Sequence, residues 1–336
     1  MSEKVYNVGI LGATGAVGRE MLKVLEERKF PIGELRLLAS ARSVGLQLPF
    51  AGKLLTVQEA TETAFDGLDI VLGAASNAVA KALAPAIKAA GAVFVDNSSA
   101  FRMDDTVPLV VPEINPEDVK KHHGIISNPN CSTIITLTAV AALNRISPIK
   151  TMVASTYQAV SGAGANGLAE LEKQARDYAA GEPMVASTFP YQIAFNLIPQ
   201  IGGDSGNGYT SEEMKMQNEG RKILHLPDLK VTCTCVRVPV LRSHSISATL
   251  VTERKISVEE ARAAISNAPG CRLVDDLDAK QYPMPLDTSD QDIVFVGRIR
   301  EDLTNENGLS IWCCGDQVRK GAATNAIQIA ETLIAN

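Results

Sequence analysis

The stretch "VYNVGILGATGAVGREMLKVLEER", residues 5–28, predicts a strand, a tight glycine turn and an amphipathic helix. Gly12, Gly15 and Gly18 give the turn a G-x-x-G-x-x-G spacing. Glycines here let the backbone approach a pyrophosphate closely, and the start of the following helix offers N–H groups to it. The context of strand, glycines and helix predicts dinucleotide binding, and the alternative is an ordinary strand-to-helix turn.

The loop after the second predicted strand bears on which dinucleotide is bound. The strand "ELRLLA" is followed by Ser40, Ala41, Arg42 and Ser43. An NAD site would place Asp or Glu here to accept the ribose hydroxyls, whereas a guanidinium between serines suits a 2′-phosphate. We therefore expect NADP(H), although Arg42 could also be an ordinary surface cation.

The alternation of elements predicts an α/β protein. Strands at residues 69–74 and 92–96 flank a helix near residues 78–90, and β-rich segments dominate after residue 150. This pattern is typical of a Rossmann-type doubly wound parallel sheet, followed by an α+β domain with a mixed sheet. We assign residues 1–130 to the first domain and 131–315 to the second. A C-terminal helix over residues 316–336 should return to complete the first domain.

Composition narrows the class of protein. The 336 residues are 46% hydrophobic and 21% charged, with a net charge of −6, which indicates a globular protein and argues against nucleic-acid binding. No apolar span has membrane length, and no signal peptide is evident, so we expect a cytoplasmic protein. The six cysteines and four histidines lack zinc-site spacing, so no metal site is expected.

Cys131 is the cysteine whose setting suggests chemistry. In "SNPNCSTI" it follows the turn formers Asn128, Pro129 and Asn130 and opens a predicted helix. A helix N-terminus lowers the pKa of a thiol and makes the thiolate available as a nucleophile. The residues alone leave open a reactive nucleophile and a structural cysteine.

Two further side chains could serve such a nucleophile. His244, in "VPVLRSHSISATL", lies at a turn that opens into a strand, a setting that suits a positioned imidazole or a hydrogen-bonded loop histidine. Arg237 lies on the preceding strand among apolar neighbours, where a substrate carboxylate or a buried acid could pair with it. Arg102 is a similar lone cation just after a predicted strand.

The helix "TSEEMKMQNEGRKIL" carries charges on one stripe. Glu212, Lys215, Glu219 and Lys222 follow one another at helical spacing. The stripe could be a solvated surface, or one Glu–Lys pair could face a zwitterionic substrate.

Eight motifs in order give the chain a family resemblance: "GATGAVGREML", "ASARSVG", "NSSAFRMD", "VPEIN", "SNPNCSTI", "YQAVSGAG", "EEMKM" and "RVPVLRSHS". Together they resemble the aspartate-β-semialdehyde dehydrogenases from near residue 5 to the C-terminus. The resemblance implies NADPH-dependent reductive dephosphorylation of L-aspartyl-4-phosphate to L-aspartate 4-semialdehyde through a cysteine thioester, in aspartate-family amino-acid biosynthesis. It also implies a homodimer built through the second domain.

Residue roles follow from the same resemblance. Cys131 matches the nucleophile, His244 the acid/base residue and Gln158 the residue that orients the acyl group. The remaining substrate contacts match Arg237 for the carboxylate, Glu212 for the amine, and Arg102, Lys215 and Asn130 for phosphate. The cofactor contacts match Gly12, Thr14, Gly15, Ala16, Val17, Ser40, Arg42, Ser43, Ser76, Ser161, Gly162 and Gln317. Assigning Glu212 and Lys215, rather than Glu219 and Lys222, remains open because the stripe is periodic.

Three other functions fit parts of the pattern. N-acetyl-γ-glutamyl-phosphate reductase runs the same chemistry, but its cysteine motif resembles N-P-G-C-Y, whereas here Asn130 and Ser132 flank Cys131. A glyceraldehyde-phosphate dehydrogenase-like enzyme is disfavoured by the loop at residues 40–43. An inactive NADPH-binding sensor is disfavoured by the joint presence of Cys131, His244 and Arg237.

Overall fold

A computed structural model describes residues 4–335 and divides into two compact units. The first unit holds the chain up to Asn130 and again from Ala322, and the second holds Cys131–Gly321. The strands are β1 Tyr6–Leu11, β2 Ile32–Ala39, β3 Gln47–Phe50, β4 Lys53–Thr56, β5 Gln58–Glu59, β6 Ile70–Gly73, β7 Val93–Asp96, β8 Ile125–Ser127, β9 Ile149–Gln158, β10 Lys230–Arg237, β11 His244–Thr252, β12 Cys271–Leu273, β13 Val294–Glu301 and β14 Gly308–Gly315. The helices are α1 Ala16–Glu27, α2 Asn77–Ala89, α3 Cys131–Ile146, α4 Gly164–Ala180, α5 Ser211–Leu224, α6 Val258–Ser266, α7 Pro285–Thr288 and α8 Thr324–Ala335.

A parallel sheet forms the centre of the first unit, with strand order β5-β2-β1-β6-β7-β8. The strands β6 and β7 are almost wholly buried and apolar, as expected when helices cover both faces of a parallel sheet. The antiparallel hairpin β3–β4 is separate from this sheet. The predicted doubly wound parallel sheet is thereby confirmed.

The glycine turn between β1 and α1 depends on missing side chains. Gly12 has φ +88°, and a Cβ there would lie 2.5 Å from Ala74 O. At Gly18, in the first turns of α1, a Cβ would overlap Gly12 O and lie 2.7 Å from Ala13 Cα. A side chain at either position would therefore force helix and turn apart. Gly15 is roomier, since a Cβ there would meet Gly12 O at 3.4 Å.

The C-terminal helix belongs to the first unit, where α8 packs on α1 and near β6 and β7. The buried Asn325 side chain donates to Asn128 Oδ1 at 2.6 Å and to Val110 O at 3.0 Å. Helical geometry begins with a π turn at Arg319, later than the predicted residue 316. A turn precedes it, in which the Asp316 carboxylate accepts the N–H groups of Val318 and Arg319. Residue 336 lies outside the described part.

The second unit contains a mixed sheet in the order β10-β9-β11-β14-β13-β12. The predicted α+β domain with a mixed sheet is thereby confirmed. The strands β10 and β9 run parallel, while β11 is antiparallel to both β9 and β14. Helix α3, which is buried along nearly its whole length, packs against the inner face of the sheet. Val153 and Tyr157 of β9 point away from α3 and remain 54% and 37% exposed. Among residues 4–335, no helix is both long and apolar enough to span a bilayer.

The close packing of Gly18 yields a stability prediction. Gly18→Ala should lower the free energy of unfolding by about 1–3 kcal/mol, because its Cβ meets backbone that cannot rotate away. Gly15→Ala, in the same turn, is the matched control and should change stability by no more than about 0.5 kcal/mol. Urea unfolding followed by circular dichroism measures both variants. Equal stability of the two would contradict the packing argument.

Candidate active site

Cys131 is the first residue of α3, immediately after the turn Asn128-Pro129-Asn130. It is partly exposed, while the other five cysteines are buried, and all six are free thiols. Gly321 packs against it, since a Cβ on that glycine would lie 3.0 Å from Cys131 Cβ. The sulfur therefore sits at the positive end of a helix dipole, in a cysteine that is not fully buried.

His244 is the imidazole that the fold brings to this sulfur. It is the first residue of β11 and fully buried, and its Nε2 lies 3.4 Å from Cys131 Sγ. Its Nδ1 accepts a hydrogen bond from the backbone N–H of Ala159 at 3.1 Å. Burial, and then the charge of Arg237, lower the pKa of His244 to about 3, while Glu212 acts in the opposite direction. The imidazole is therefore neutral around pH 7.

Arg237, at the end of β10, is buried close to His244. Its Nη1 donates to Ala159 O at 2.7 Å, and its guanidinium lies 5.8 Å from the centre of the Phe189 ring. Burial lowers the pKa of Arg237, while the nearby charges of Cys131 and Glu212 raise it. A guanidinium so placed is well suited to a desolvated carboxylate.

The backbone of Gly162 lies directly beside the Arg237 and His244 side chains. A Cβ at this position would lie 2.6 Å from Arg237 Nη1 and 3.4 Å from His244 Nε2. Any side chain at residue 162 would therefore compete for the space beside the two polar groups.

The charged stripe on α5 reaches the same region through its first pair. Gln158 Nε2 donates to Glu212 Oε1 at 3.2 Å, and Lys215 Nζ binds Glu212 Oε2 at 2.8 Å. The Gln158 amide is held from its other side, because Thr156 Oγ1 donates to Gln158 Oε1 at 2.9 Å. Ser132, next to the cysteine, lies 3.5 Å from Glu212 Oε1.

Two of the other three histidines, His122 and His225, have structural settings. His225 caps α5 in the left-handed conformation, with φ 54°. The Nδ1 of His122 accepts the Gly124 N–H at 3.0 Å, and burial lowers its pKa. Neither contact connects these rings to Cys131.

The Gln317 side chain joins the loop at residues 160–163 to the backbone just before β11. Gln317 donates from Nε2 to Ser161 Oγ and accepts the Ser243 N–H at 2.8 Å. Ser243, with φ 76°, also bonds through its hydroxyl to Thr288 Oγ1 at 2.5 Å. These bonds fix the backbone just before His244. Thus Ser161 and Gln317 lie on the chain segments that hold the imidazole.

The first unit contains a groove of about 520 Å³ beside the glycine turn. Its walls include the carboxyl ends of β1 and β2 and the first turns of α2. The lining residues are Leu11, Gly12, Thr14, Gly15, Ala39, Ser40, Ala41, Arg42, Glu59, Ala60, Ala74, Ala75, Val79, Ala82 and Leu83. Gly12, Thr14, Gly15, Ser40 and Arg42 were predicted from the sequence as cofactor contacts.

The other predicted cofactor residues of this unit lie at element ends. Ala16 and Val17 begin α1, Ser43 ends a short 3₁₀ turn, and Ser76 caps α2 by accepting the Val79 N–H at 3.4 Å. Sequence reasoning missed Glu59, which β5 brings next to Ala39. A two-residue strand carries no periodic signal that could have revealed it.

The predicted phosphate residues Arg102 and Asn130 also belong to the first unit and are both buried. Arg102 donates from Nε to Asn128 O at 2.9 Å and from Nη2 to Asn97 O at 2.7 Å. Nearby Asp96 has its pKa raised by burial, although hydrogen bonds from Ser98 counteract this. Backbone carbonyls thus hold the Arg102 guanidinium in a fixed orientation.

Sequence reasoning missed two supporting groups in the second unit. Thr156 lies two residues before Gln158 on β9, so strand alternation could have placed both on one face. The Ala159 peptide has no such signal, because any residue supplies the same N–H and C=O. Within residues 4–335, no group of three or more His, Cys, Asp or Glu side chains is arranged to hold a metal.

Two family models match the chain. The semialdehyde dehydrogenase NAD binding domain matches residues 7–122, and the semialdehyde dehydrogenase dimerisation domain matches residues 140–320. The aspartate-semialdehyde dehydrogenase of Synechocystis sp. is 52% identical over 327 residues, covering 97% of each chain.

Solved structures agree with this. Aspartate semialdehyde dehydrogenase II of Vibrio cholerae, in a structure described as complexed with ASA, has a TM-score of 0.97 and 43% identity over 99% of both chains. The Candida albicans enzyme, crystallised with NADP, has a TM-score of 0.75 and 26% identity over 99% of both chains. The chain belongs to the aspartate-semialdehyde dehydrogenase family.

Proposed function

We propose that the protein catalyses the NADPH-dependent reductive dephosphorylation of L-aspartyl-4-phosphate to L-aspartate 4-semialdehyde, with a thioester on Cys131. The observation that carries this proposal is the 3.4 Å contact between Cys131 Sγ and His244 Nε2 at the start of α3. A thiolate is a strong nucleophile, and its thioester accepts hydride readily. The helix N-terminus favours the thiolate and a developing oxyanion.

The buried charges support an amino-acid substrate. Arg237 would bind the α-carboxylate, and Glu212 would bind the α-ammonium group, so the two ends of the zwitterion meet opposite charges. Gln158, held by Thr156, would orient the acyl group. An N-acetylated substrate has no ammonium group for Glu212, and this disfavours N-acetyl-γ-glutamyl-phosphate reductase.

The departing phosphate requires cations. Lys215 would supply one, and the family motifs add Arg102 and Asn130 as further phosphate contacts. Lys215 is the part-buried partner of Glu212, so its charge is already held in position. These assignments rest on the family motifs together with the chemistry of the side chains.

The cofactor is NADP(H), and the groove beside the glycine turn fits it. Gly12 and Gly15 line the groove, and the N-terminus of α1 beside them would offer backbone N–H groups to a pyrophosphate. Arg42 and Ser40 would bind the 2′-phosphate, with the remaining predicted contacts at Thr14, Ala16, Val17, Ser43 and Ser76. The family motifs add Ser161, Gly162 and Gln317 as further cofactor contacts. When bound, the nicotinamide supplies the hydride.

We also propose a homodimer in the cytoplasm. The match to a dimerisation domain and the exposed apolar side chains Val153 and Tyr157 on the open face of the second sheet support self-association. Free thiols at all six cysteines are typical of a reducing compartment.

Phosphate-dependent reduction of NADP with L-aspartate 4-semialdehyde tests the reaction in its reverse direction. Cys131→Ser should lose more than about 95% of the activity, because a serine hydroxyl is far less ionised than a thiol near pH 7. Its NADPH affinity, measured by fluorescence titration, should be unchanged.

The matched control is Cys271→Ser, since a hydroxyl can replace the thiol that bonds Thr138 O at 3.3 Å. This variant should keep the parental turnover. Substantial turnover by Cys131→Ser would remove the nucleophile assignment, and inactive parent enzyme would remove the proposed reaction.

The choice of cofactor yields a second test. Arg42→Glu should weaken NADP relative to NAD by about 1–3 kcal/mol through loss of a charge-assisted contact. Lys53→Glu makes the same charge change on exposed β4, outside the groove, and should leave the preference alone. Steady-state kinetics with both cofactors measure the ratio. An unaltered ratio in Arg42→Glu would refute the role of Arg42.

The dimer is tested at the open face of the sheet. Val153→Glu should convert a dimer to a monomer, because it places a charge in an apolar contact. Leu54→Glu, at a residue that is 62% exposed on β4, is the control and should remain dimeric. Sedimentation velocity gives the masses, and a dimeric Val153→Glu would exclude this face.

A further inference from the structure

The strand β10 lies at the edge of the second sheet, so the backbone groups on its outer side need partners from outside the sheet. The helix α5 packs against this strand, and two of its side chains supply such partners. Glu213 Oε1 accepts the Cys235 N–H at 3.0 Å. Gln217 Oε1 accepts the Val231 N–H at 3.1 Å. The two bonds tie the helix to the strand, one near each end of β10.

The two bonds differ in what lies beside them. Cys235 is two residues before Arg237, and Glu213 directly follows Glu212 in the first turn of α5. Val231, in contrast, is six residues before Arg237, which is about 20 Å along an extended strand. The Glu213 bond therefore joins the end of β10 that carries Arg237 to the turn of α5 that carries Glu212.

We propose that Glu213 is a positioning residue, which fixes the register of α5 against β10 and thereby sets the spacing between Glu212 and Arg237. In the proposed function these two groups bind opposite ends of the amino-acid substrate, so the inference rests on that function. Glu213 acts through the two side chains and does not itself contact the substrate.

The second oxygen of the Glu213 carboxylate holds the start of the helix. Oε2 accepts the Thr210 N–H at 2.7 Å, and Thr210 Oγ1 accepts the Glu213 N–H at 3.3 Å. Glu213 is only 8% exposed, and a buried carboxylate needs close donors of this kind. Because its acceptor is charged, each bond is stronger than one between neutral groups. One side chain thus fixes the first turn of α5 both to its own cap and to β10.

Apolar packing alone would leave the axial position of α5 less well defined. Met216, Gly220 and Ile223 form the buried face of the helix, and a Cβ at Gly220 would lie 3.6 Å from Leu229 Cδ2. Hydrophobic contacts are not directional, whereas hydrogen bonds require a defined distance and angle. The bond from Glu213 is therefore the contact that sets the register next to the site.

The kinetics of Glu213→Ala test this role. The KM for L-aspartate 4-semialdehyde should rise about tenfold, because a displaced Glu212 no longer fits the substrate while Arg237 binds its other end. The kcat should stay within about threefold of the parent, and the KM for NADP should be unchanged. Loss of folded protein alone would lower the apparent kcat and leave both KM values as they are.

Gln217→Ala is the matched control, since it removes a bond of the same kind between the same helix and the same strand. It should lose stability to urea in the same way as Glu213→Ala and keep the parental KM for the semialdehyde. An equal rise of this KM in both variants, or a parental KM in Glu213→Ala, would overturn the proposal.

Glu213→Asp serves if Glu213→Ala does not fold. Aspartate keeps the charge near the start of the helix, but it is one methylene too short to hold Thr210 and Cys235 together. The KM for the semialdehyde should rise here as well, and a parental value would contradict the positioning role.

A double-mutant cycle with Glu212→Gln shows whether Glu213 acts through its neighbour. Once the Glu212 charge is removed, moving α5 has little left to disturb, so adding Glu213→Ala should raise the semialdehyde KM by less than about threefold. The same tenfold rise in both backgrounds would show that Glu213 acts elsewhere.

Calorimetric titration with L-aspartate 4-semialdehyde separates this inference from the function on which it rests. If the parent binds the semialdehyde but does not reduce NADP with it, the proposed reaction fails. The positioning role is then decided by affinity, which should be about tenfold weaker in Glu213→Ala than in Gln217→Ala. If the parent is active and the two variants bind equally well, the positioning role fails while the reaction stands. Absence of binding by the parent would overturn both.

Discussion

The burial of Arg237, Glu212 and His244 in one small region of the second unit is the constraint on which the site depends. They are 7%, 8% and 0% exposed, and a charge removed from water is tolerated only with close polar partners. Glu212 is balanced by Lys215 and bonded by Gln158, and Arg237 is bonded by a backbone carbonyl. Because these partners are shared, the polar groups around Cys131 form one connected arrangement.

The backbone of one residue, Ala159, links the two halves of that arrangement. The Ala159 N–H holds His244 on β11, and its C=O holds Arg237 on β10. The group that would bind the substrate carboxylate and the group that faces the sulfur are therefore both positioned by the backbone of Ala159, through the two peptide groups that flank its Cα. Gly162 completes the arrangement, since its missing side chain leaves room for both.

The first unit meets a different demand, which is the close packing of strand, turn and helix around the glycine loop. At Gly12 and Gly18 the neighbouring backbone is so near that these elements fit only without a Cβ. The groove beside them carries Arg42 and Glu59 of opposite charge, and Glu59 reaches it from the edge strand β5. In the NADP complex proposed above, Arg42 would be the cation of this groove that favours the extra phosphate.

The sequence by itself determined the two sheets, the glycine turn and the position of Cys131 at a helix start, because these follow from local periodicity and turn chemistry. It also identified Arg237 and His244 as candidates, because one is a charged residue in an apolar strand and the other lies at a turn that opens into a strand. It could not choose between Glu212 and Glu219, which occupy equivalent places on a helical stripe. Only the tertiary structure decided that Glu212 contacts Gln158, and that the backbone N–H of Ala159, just after β9, meets His244. Such contacts join residues far apart in the chain, and a peptide group looks the same at every position in a sequence.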